Sequence, residues 1–236
     1  MNFALNKKYF KGSSPLFWIC GLVVLFVGLV LLFVQDMLAY GIVLVVGSLI
    51  YLGVYFASLA KDSDITDGIN IRVDQLRTEA RADYERQYVK AKKLSTPKIY
   101  EFQRFLYTPK EEGAELKMRL SKHGEVFTSR YGFSMLFVDE MNKIMQLYLF
   151  TLSLLEDDDE MESISLPYFG LARAWLDETD IQLKVGGETV ARKDTYLCIE
   201  LKDGNKISIP CVRDAATETL IDDINIRYCK ETQPQQ

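Results

Sequence analysis

Two apolar runs, Pro15 to Val34 and Leu38 to Ala60, contain no charged side chain and are parted only by Gln35, Asp36 and Met37. At about 1.5 Å of rise per helical residue, each run is long enough to cross a hydrocarbon layer roughly 30 Å thick. The short joint leaves room only for a tight turn. The pattern predicts a transmembrane helical hairpin over residues 15–60, with Pro15, Trp18, Val34, Leu38 and Ala60 among its anchoring residues. A cleaved secretory signal would need a shorter apolar region and a small-x-small site, and Phe33 to Met37 has no such site. Gly53 and Ala57 have the small-xxx-small spacing that permits close helix approach, and Gly21, Gly28, Gly41 and Gly47 are also present.

The flanks orient the hairpin. Lys7, Lys8 and Lys11 precede it and Lys61, Arg72 and Arg77 follow it, whereas the turn carries only Asp36. Bases near a span are retained on the cytoplasmic side, which predicts a multi-pass membrane protein with both termini cytoplasmic and residues 1–14 as an N-terminal tail.

Charge is unevenly shared along the rest. From Pro97 onward, 17 Lys and Arg stand against 25 Asp and Glu, a net of −8, while Lys61 to Thr96 has 8 against 7. A net-acid head repels polyanions, so nucleic acid is not expected as a partner. Binding to specific lipid head groups is disfavoured on the same ground.

The residue inventory offers little for catalysis. His123 is the single imidazole, and no nucleophile turn surrounds it, so it reads as a surface or half-buried residue. Cys20, Cys198, Cys211 and Cys229 form no C-x-x-C pair and fit no zinc spacing, which points to free thiols in a reducing compartment. The run Glu156 to Glu162 lacks the Gly and the alternation of a calcium loop and reads as a solvated strand-to-strand loop. Gly186-Gly187 is a turn, since no phosphate-loop pattern surrounds it. The expectation is a protein that is not an enzyme and that takes no cofactor and no metal.

Between the hairpin and the head, residues 61–96 predict a charged helical linker. Ile65, Ile69, Val73, Leu76, Ala80, Tyr84 and Ala91 recur at helical spacing, with Arg72, Arg77, Glu79, Arg81, Glu85 and Arg86 on the other faces. The stripe Ile69, Val73, Leu76, Ala80, Tyr84 is either a stalk face that pairs with a second copy or a face that lies back on the head. Lys90, Lys92 and Lys93 form a basic knot at the end of this segment, suited to a solvated helix terminus.

The head spans residues 97–230, with 231–236 expected to fray. Pro97 starts a predicted helix through Ile99, Phe102, Phe105 and Leu106, ended by Thr108-Pro109. Ala114 to His123 fits helix or strand equally. Beyond Glu125, aromatic and β-branched runs cut by turn signals predict strands at 126–131, 133–139, 144–152, 164–168, 172–177, 181–185, 196–202 and 206–212. Asp203-Gly204-Asn205 is the strongest hairpin signal, and it would put Leu197, Ile199, Leu201, Ile207 and Ile209 on one face. Leu220, Ile221, Ile224 and Tyr228 are spaced for one face of an amphipathic C-terminal helix, with Asp214 or Thr217 at its cap.

This order, short antiparallel strands followed by one helix, predicts an α+β head in which a small barrel is plugged by its terminal helix. The Phe133-x-x-Leu-Phe-Val-Asp-Glu-x-Asn-Lys strand-turn, the Ile164-x-Leu-Pro-Tyr segment and the final hairpin with its helix resemble the pleckstrin-homology (PH) superfold. The chain is similar to small bacterial inner-membrane proteins that carry a helical hairpin and a cytoplasmic PH-like domain. Phosphoinositide-binding members use a basic loop between the first two strands, where Arg130-Tyr131-Gly132 offers a single base.

Two functions are consistent with this reading, and a third, lipid handling or lipid sensing, is disfavoured by the net-acid head. One is a non-catalytic membrane-anchored adaptor whose head, through one face or a sheet edge, recruits a protein partner or a second copy. The other is a ligand-gated effector in which the barrel senses a soluble, nucleotide-like molecule and the hairpins perturb the bilayer. Tyr168, Trp175 and Tyr196, with Phe169, are the candidate ligand- or partner-contacting aromatics, although aromatics at strand positions also serve as core.

Overall fold

A computed structural model describes residues 1–12, 15–89, 96–109 and 115–229. The basic knot Lys90, Lys92 and Lys93, the stripe residue Ala91 and the tail 231–236 lie outside the described residues. The chain divides into two units, residues 2–65 and the rest from Thr66 onward.

The N-terminal unit is helical. The N-terminal segment carries α1 (Phe3–Lys11), capped by Asn2, whose side chain accepts from Leu5 N at 3.1 Å. Lys8 Nζ reaches Ser58 O at 2.5 Å and Tyr9 donates to Asp62 at 2.7 Å, so α1 is tied to the end of the apolar region. Helices α2 (Pro15–Leu31) and α3 (Leu38–Ala57) pack on each other across a short 3-10 turn, Gln35–Met37. Among the described residues one helix is long and apolar enough to cross a membrane, the run containing α3. With 17 residues, α2 meets that length only together with α1, from which it is bent by 79°.

Close approach of α2 and α3 uses different small residues from the pair with the small-xxx-small spacing. A Cβ on Gly41 would lie 2.8 Å from Leu32 N, and one on Gly21 2.6 Å from Leu52 Cδ2, whereas a Cβ on Gly53 would meet nothing within 4 Å. Backbone contact leaves Gly41 no room to relax. Gly41→Val is therefore expected to destabilise the hairpin by about 1 to 3 kcal/mol, as overpacking does. Gly53→Val should be silent, which thermal denaturation of both variants in detergent would read.

From Thr66 onward the chain is an α+β unit. Strands β1 (Lys98–Phe105), β4 (Arg130–Asp139), β5 (Ile144–Ser153) and β6 (Glu160–Pro167) form an antiparallel sheet in the order β1-β4-β5-β6. Strands β2 (Met118–Leu120) and β3 (Val126–Thr128) form a two-stranded ribbon, and β7 (Leu171–Val185), β8 (Glu188–Leu201) and β9 (Lys206–Pro210) a three-stranded sheet. The expected closed barrel does not form among the described residues: no strand pairing joins the three sheets.

A shared core fills the space between the two larger sheets and the C-terminal helix. Leu136, Val138, Met145, Leu147 and Leu166 come from the first sheet, Ala174, Leu197, Ile199 and Ile209 from the second. Helix α5 (Ala215–Asp223) and the π turn Ile224–Tyr228 contribute Leu220, Ile224 and Tyr228, each at most 3% exposed. The terminal helix thus closes the core as expected, with Ile221 partly buried beside it. A second small cluster, Val126, Leu183 and Val185 with Met118, Leu120 and Tyr107, packs the far end of the β7–β8 hairpin on the ribbon.

The Asp203 hairpin forms as predicted, pairing Leu197 with Ile209 and Ile199 with Ile207, with Gly204 at φ +88°. Gly186 and Gly187, at φ +60° and +92°, make the two-residue turn that this sense of hairpin twist favours. The two strands expected at 172–177 and 181–185 are one strand, β7. The polar stretch Asp177 to Asp180 between them is exposed but stays paired with Tyr196 to Lys193. Likewise Glu160 to Glu162, expected as loop, open β6.

The predicted helix at Pro97 is instead strand β1. Ile99, Phe102 and Leu106 fit a helical stripe, but Tyr100, Phe102, Arg104 and Leu106 also alternate with the exposed Ile99, Glu101 and Gln103. Pairing with β4, from Lys98↔Val138 to Phe105↔Tyr131, selects the two-residue period.

The outer face of the four-stranded sheet is covered by α4 (Asp62–Tyr84). Ile69, Val73, Leu76, Ala80 and Tyr84 are all at most 3% exposed, and so are Phe133, Met135, Phe137 and Tyr148 on the sheet. The Tyr84 ring stacks on Phe137 at 4.5 Å, its hydroxyl donates to Asp139, and Tyr148 donates to Asp83. Arg72 to Asp159 at 2.8 Å and Arg77 to Glu101 at 2.8 Å fix the flanks. Of the two readings of the stripe, this is the one in which it lies back on the head. A pairing face for a second copy is not exposed on it.

Helix α5 starts at Asp214, which accepts from Thr217 N at 2.7 Å and from the Thr217 hydroxyl. Those hydrogen bonds hold the Asp214 carboxyl below the usual carboxylate range. A lowered folded-state pKa contributes stability above the unfolded value near 4, and that contribution is lost as pH falls through the folded value. Asp214→Ala should cost about 0.5 to 2 kcal/mol. The variant's deficit, read by urea unfolding at pH 7 and at pH 3, should shrink at the lower pH.

Candidate functional site

The sequence-predicted aromatics do not converge. Tyr168 is 2% exposed and packs at 4.4 Å against Tyr228 inside the core. Trp175 and Tyr196 sit on the outer face of the three-stranded sheet, where the pairs Trp175↔Cys198 and Asp177↔Tyr196 make them diagonal neighbours. Phe169 is 68% exposed in the 3-10 turn between β6 and β7. Arg173 and Lys206 lie 4.7 and 5.0 Å from the Trp175 ring, and each is also paired, Arg173 with Glu200 and Lys206 with Asp177.

A cleft of about 440 Å³ opens at one end of the sandwich, lined by Arg104, Tyr107, Glu178, Lys193, Thr195, Cys211, Val212 and Arg213. Arg104 projects from β1 across to the second sheet. It pairs with Asp194 at 2.7 Å and donates to Thr195 O at 2.7 Å and Cys211 O at 3.1 Å, with both charged side chains under one-tenth exposed. This ties the two sheets together where no ladder joins them. The other bases of the cleft are neutralised as well: Lys193 and Arg213 both approach Glu178, and Arg213 also pairs with Glu218. Burial pushes the Cys211 thiol up to about 11, so it stays protonated and is a poor nucleophile at neutral pH. Burial and the adjacent Asp194 carboxylate raise the Tyr196 hydroxyl.

His123 is exposed in the turn after β2, where its N–H donates to Ser121 at 3.2 Å. Within the acidic run, Asp159 accepts from Arg72 at 2.8 Å and from Ser153 N at 3.3 Å, a structural tie between α4 and the β5–β6 loop. Among the described residues no group of three or more His, Cys, Asp or Glu is placed to hold a metal ion.

The remaining feature is the free side of β6, which pairs only with β5 among the described strands. Tyr168 N donates to Lys143 O at 3.0 Å, which marks Ile144/Pro167 as a wide pair of the ladder. Alternation then gives Glu160, Glu162, Ile164 and Leu166 the bonds to β5 and turns the N–H and C=O of Met161, Ser163 and Ser165 away from it. Met161 is 54% exposed, and Glu160, Glu162, Ser163 and Ser165 are exposed too. On the inner side a groove of about 240 Å³ runs from Glu160 and Glu162 past Leu149 and Thr151 to Ser208 and Pro210. Sequence reasoning passed over this edge because its first residues continue an acidic run. The signal was the period-two stretch Ser163-Ile164-Ser165-Leu166.

Comparison with protein-family models, with curated proteins and with solved structures gives no match.

Proposed function

We propose that the chain is a membrane-anchored, non-catalytic adaptor. In this reading the helical hairpin holds it in the cytoplasmic membrane with both termini inside, and the PH-like head recruits a protein partner by strand addition at β6. The observation that carries the proposal is the free edge itself: three consecutive outward-facing backbone positions on an exposed strand, beside a groove, in a sheet whose two faces are already covered. Main-chain groups at such an edge supply affinity and the flanking side chains supply selectivity. Anchoring is supported by the side chains of α2 and α3, where Phe26, Val43, Ile50 and Val54 are each 62 to 70% exposed, an apolar surface that water would not leave uncovered.

The effector reading calls for a basic, aromatic-lined cavity. The cleft at Arg104 has that residue composition, yet Arg104, Lys193 and Arg213 are each held by carboxylates of the same chain, which a phosphate would have to displace. This favours the adaptor. A photo-crosslinking residue placed at Met161 in membranes of living cells should form a discrete adduct with another protein, and one placed at Asp203 on the opposite hairpin should not. Absence of any adduct from Met161, Trp175 and Val212, together with nucleotide-dependent depolarisation of expressing cells, would replace the adaptor by the effector.

A further inference from the structure

Resting on the adaptor reading, we infer that the partner's docking segment is an extended strand of alternating basic and apolar residues. From Ile144 to Ala172 the chain contains Glu156, Asp157, Asp158, Asp159, Glu160 and Glu162 and not one Lys or Arg, so β6 and the loop that leads into it are a net-acid border, on which Arg72 pairs with Asp159 at 2.8 Å and Arg130 lies 3.9 Å from Glu160. Glu160 and Glu162 stand on the inner side of the strand, facing the groove with Ser208 and Pro210, while Met161 stands on the outer side beside Phe150. An added strand must alternate in the same way, because successive side chains of a strand point to opposite faces. Its inner-side residues would meet Glu160, which Arg130 already approaches, and Glu162, so Lys or Arg is favoured chiefly opposite Glu162. Its outer-side residues would meet Met161 and are favoured as apolar.

Carboxylates on an edge strand also act as a guard, since they reject indiscriminate pairing with neutral or acidic strands. The guard becomes a selector when the incoming strand carries the opposite charge, each cross-strand ion pair adding modestly to the main-chain bonds. A second copy of this chain is a poor occupant for the same reason, as it would bring its own acidic border to the edge.

The test uses the full chain in nanodiscs of neutral lipid and a fluorescent alternating lysine–valine heptapeptide. Controls are a glutamate–valine peptide and a lysine–proline peptide of equal positive charge that cannot pair as a strand. Hydrogen exchange should slow at the amides of Met161, Ser163 and Ser165 on adding the lysine–valine peptide and stay unchanged with both controls. Met161→Pro removes an outward N–H that β5 does not use, so the sheet is retained. Affinity should drop by about tenfold or more in Met161→Pro and in Glu162→Lys. Glu188→Lys, with the same change of net charge on the β7–β8 hairpin, should bind as the parent does.

Equal binding of the lysine–valine and lysine–proline peptides, or of Met161→Pro and the parent, overturns strand addition in favour of unspecific charge attraction. Loss of peptide binding with persistence of the Met161 adduct in cells overturns the basic-strand inference while the adaptor stands. Loss of every adduct removes the adaptor itself.

Discussion

Replacing Arg104 with methionine should destabilise the head by about 3 to 5 kcal/mol, the usual cost of stranding one member of a buried ion pair. The substitution keeps most of the aliphatic volume but leaves the Asp194 carboxylate, whose side chain is 9% exposed, without its cation. The carbonyls of Thr195 and Cys211 lose a donor at the same time. Arg104→Met with Asp194→Leu should recover much of the loss, because two apolar side chains of similar shape need neither desolvation nor pairing. Urea unfolding of the full chain in detergent, followed by Trp175 fluorescence against a Trp18→Phe background, gives the cycle. A single variant within about 0.5 kcal/mol of the parent would mean that Arg104 does not tie the sheets.

The second large effect lies on the opposite face of the same sheet. Leu76→Ala is expected to cost about 2 to 5 kcal/mol and Tyr84→Ala about 3 to 5 kcal/mol, since both side chains are 3% exposed and fill the surface between α4 and β4–β5. Tyr84→Phe isolates the hydroxyl and should cost about 1 to 3 kcal/mol, because Asp139 is 1% exposed and loses a donor. These values separate the two readings of the stripe. A free stalk face would lose self-association and keep the stability of the head, whereas a covering helix loses stability in the monomer.

These two sites also show where sequence reasoning reaches and where it stops. Local signals were legible: the charge-free N-terminal runs became α2 and α3, Asp203-Gly204-Asn205 became a hairpin, and Asp214 became the cap of α5. Each rests on residues within a few positions of one another. The sequence predicts a helix at β1 because Tyr100 to Leu106 satisfies both periods, and only the ladder to β4, about thirty residues on, decides between them. Nothing local in the sequence marks Arg104. A lone Arg in an apolar run has no local partner, and Asp194 lies ninety positions further along the chain. The stripe of α4 was recognised by its spacing, but spacing alone does not say whether a sheet or a second helix covers it. The closed barrel does not form for a similar reason, since strand count and turn spacing are compatible both with closure and with the three separate sheets that form.

The edge of β6 matters for function only if the head is held where the hairpin would hold it. Cysteine accessibility in intact cells addresses this directly, using a membrane-impermeant maleimide on Asp36→Cys and, separately, Asp203→Cys, each against the labelling of the parent chain. The account predicts labelling of Asp36→Cys from outside and of Asp203→Cys only after permeabilisation, with the protein resisting alkaline extraction from membranes. Labelling of Asp203→Cys in intact cells, or release of the protein by alkaline extraction, would contradict it.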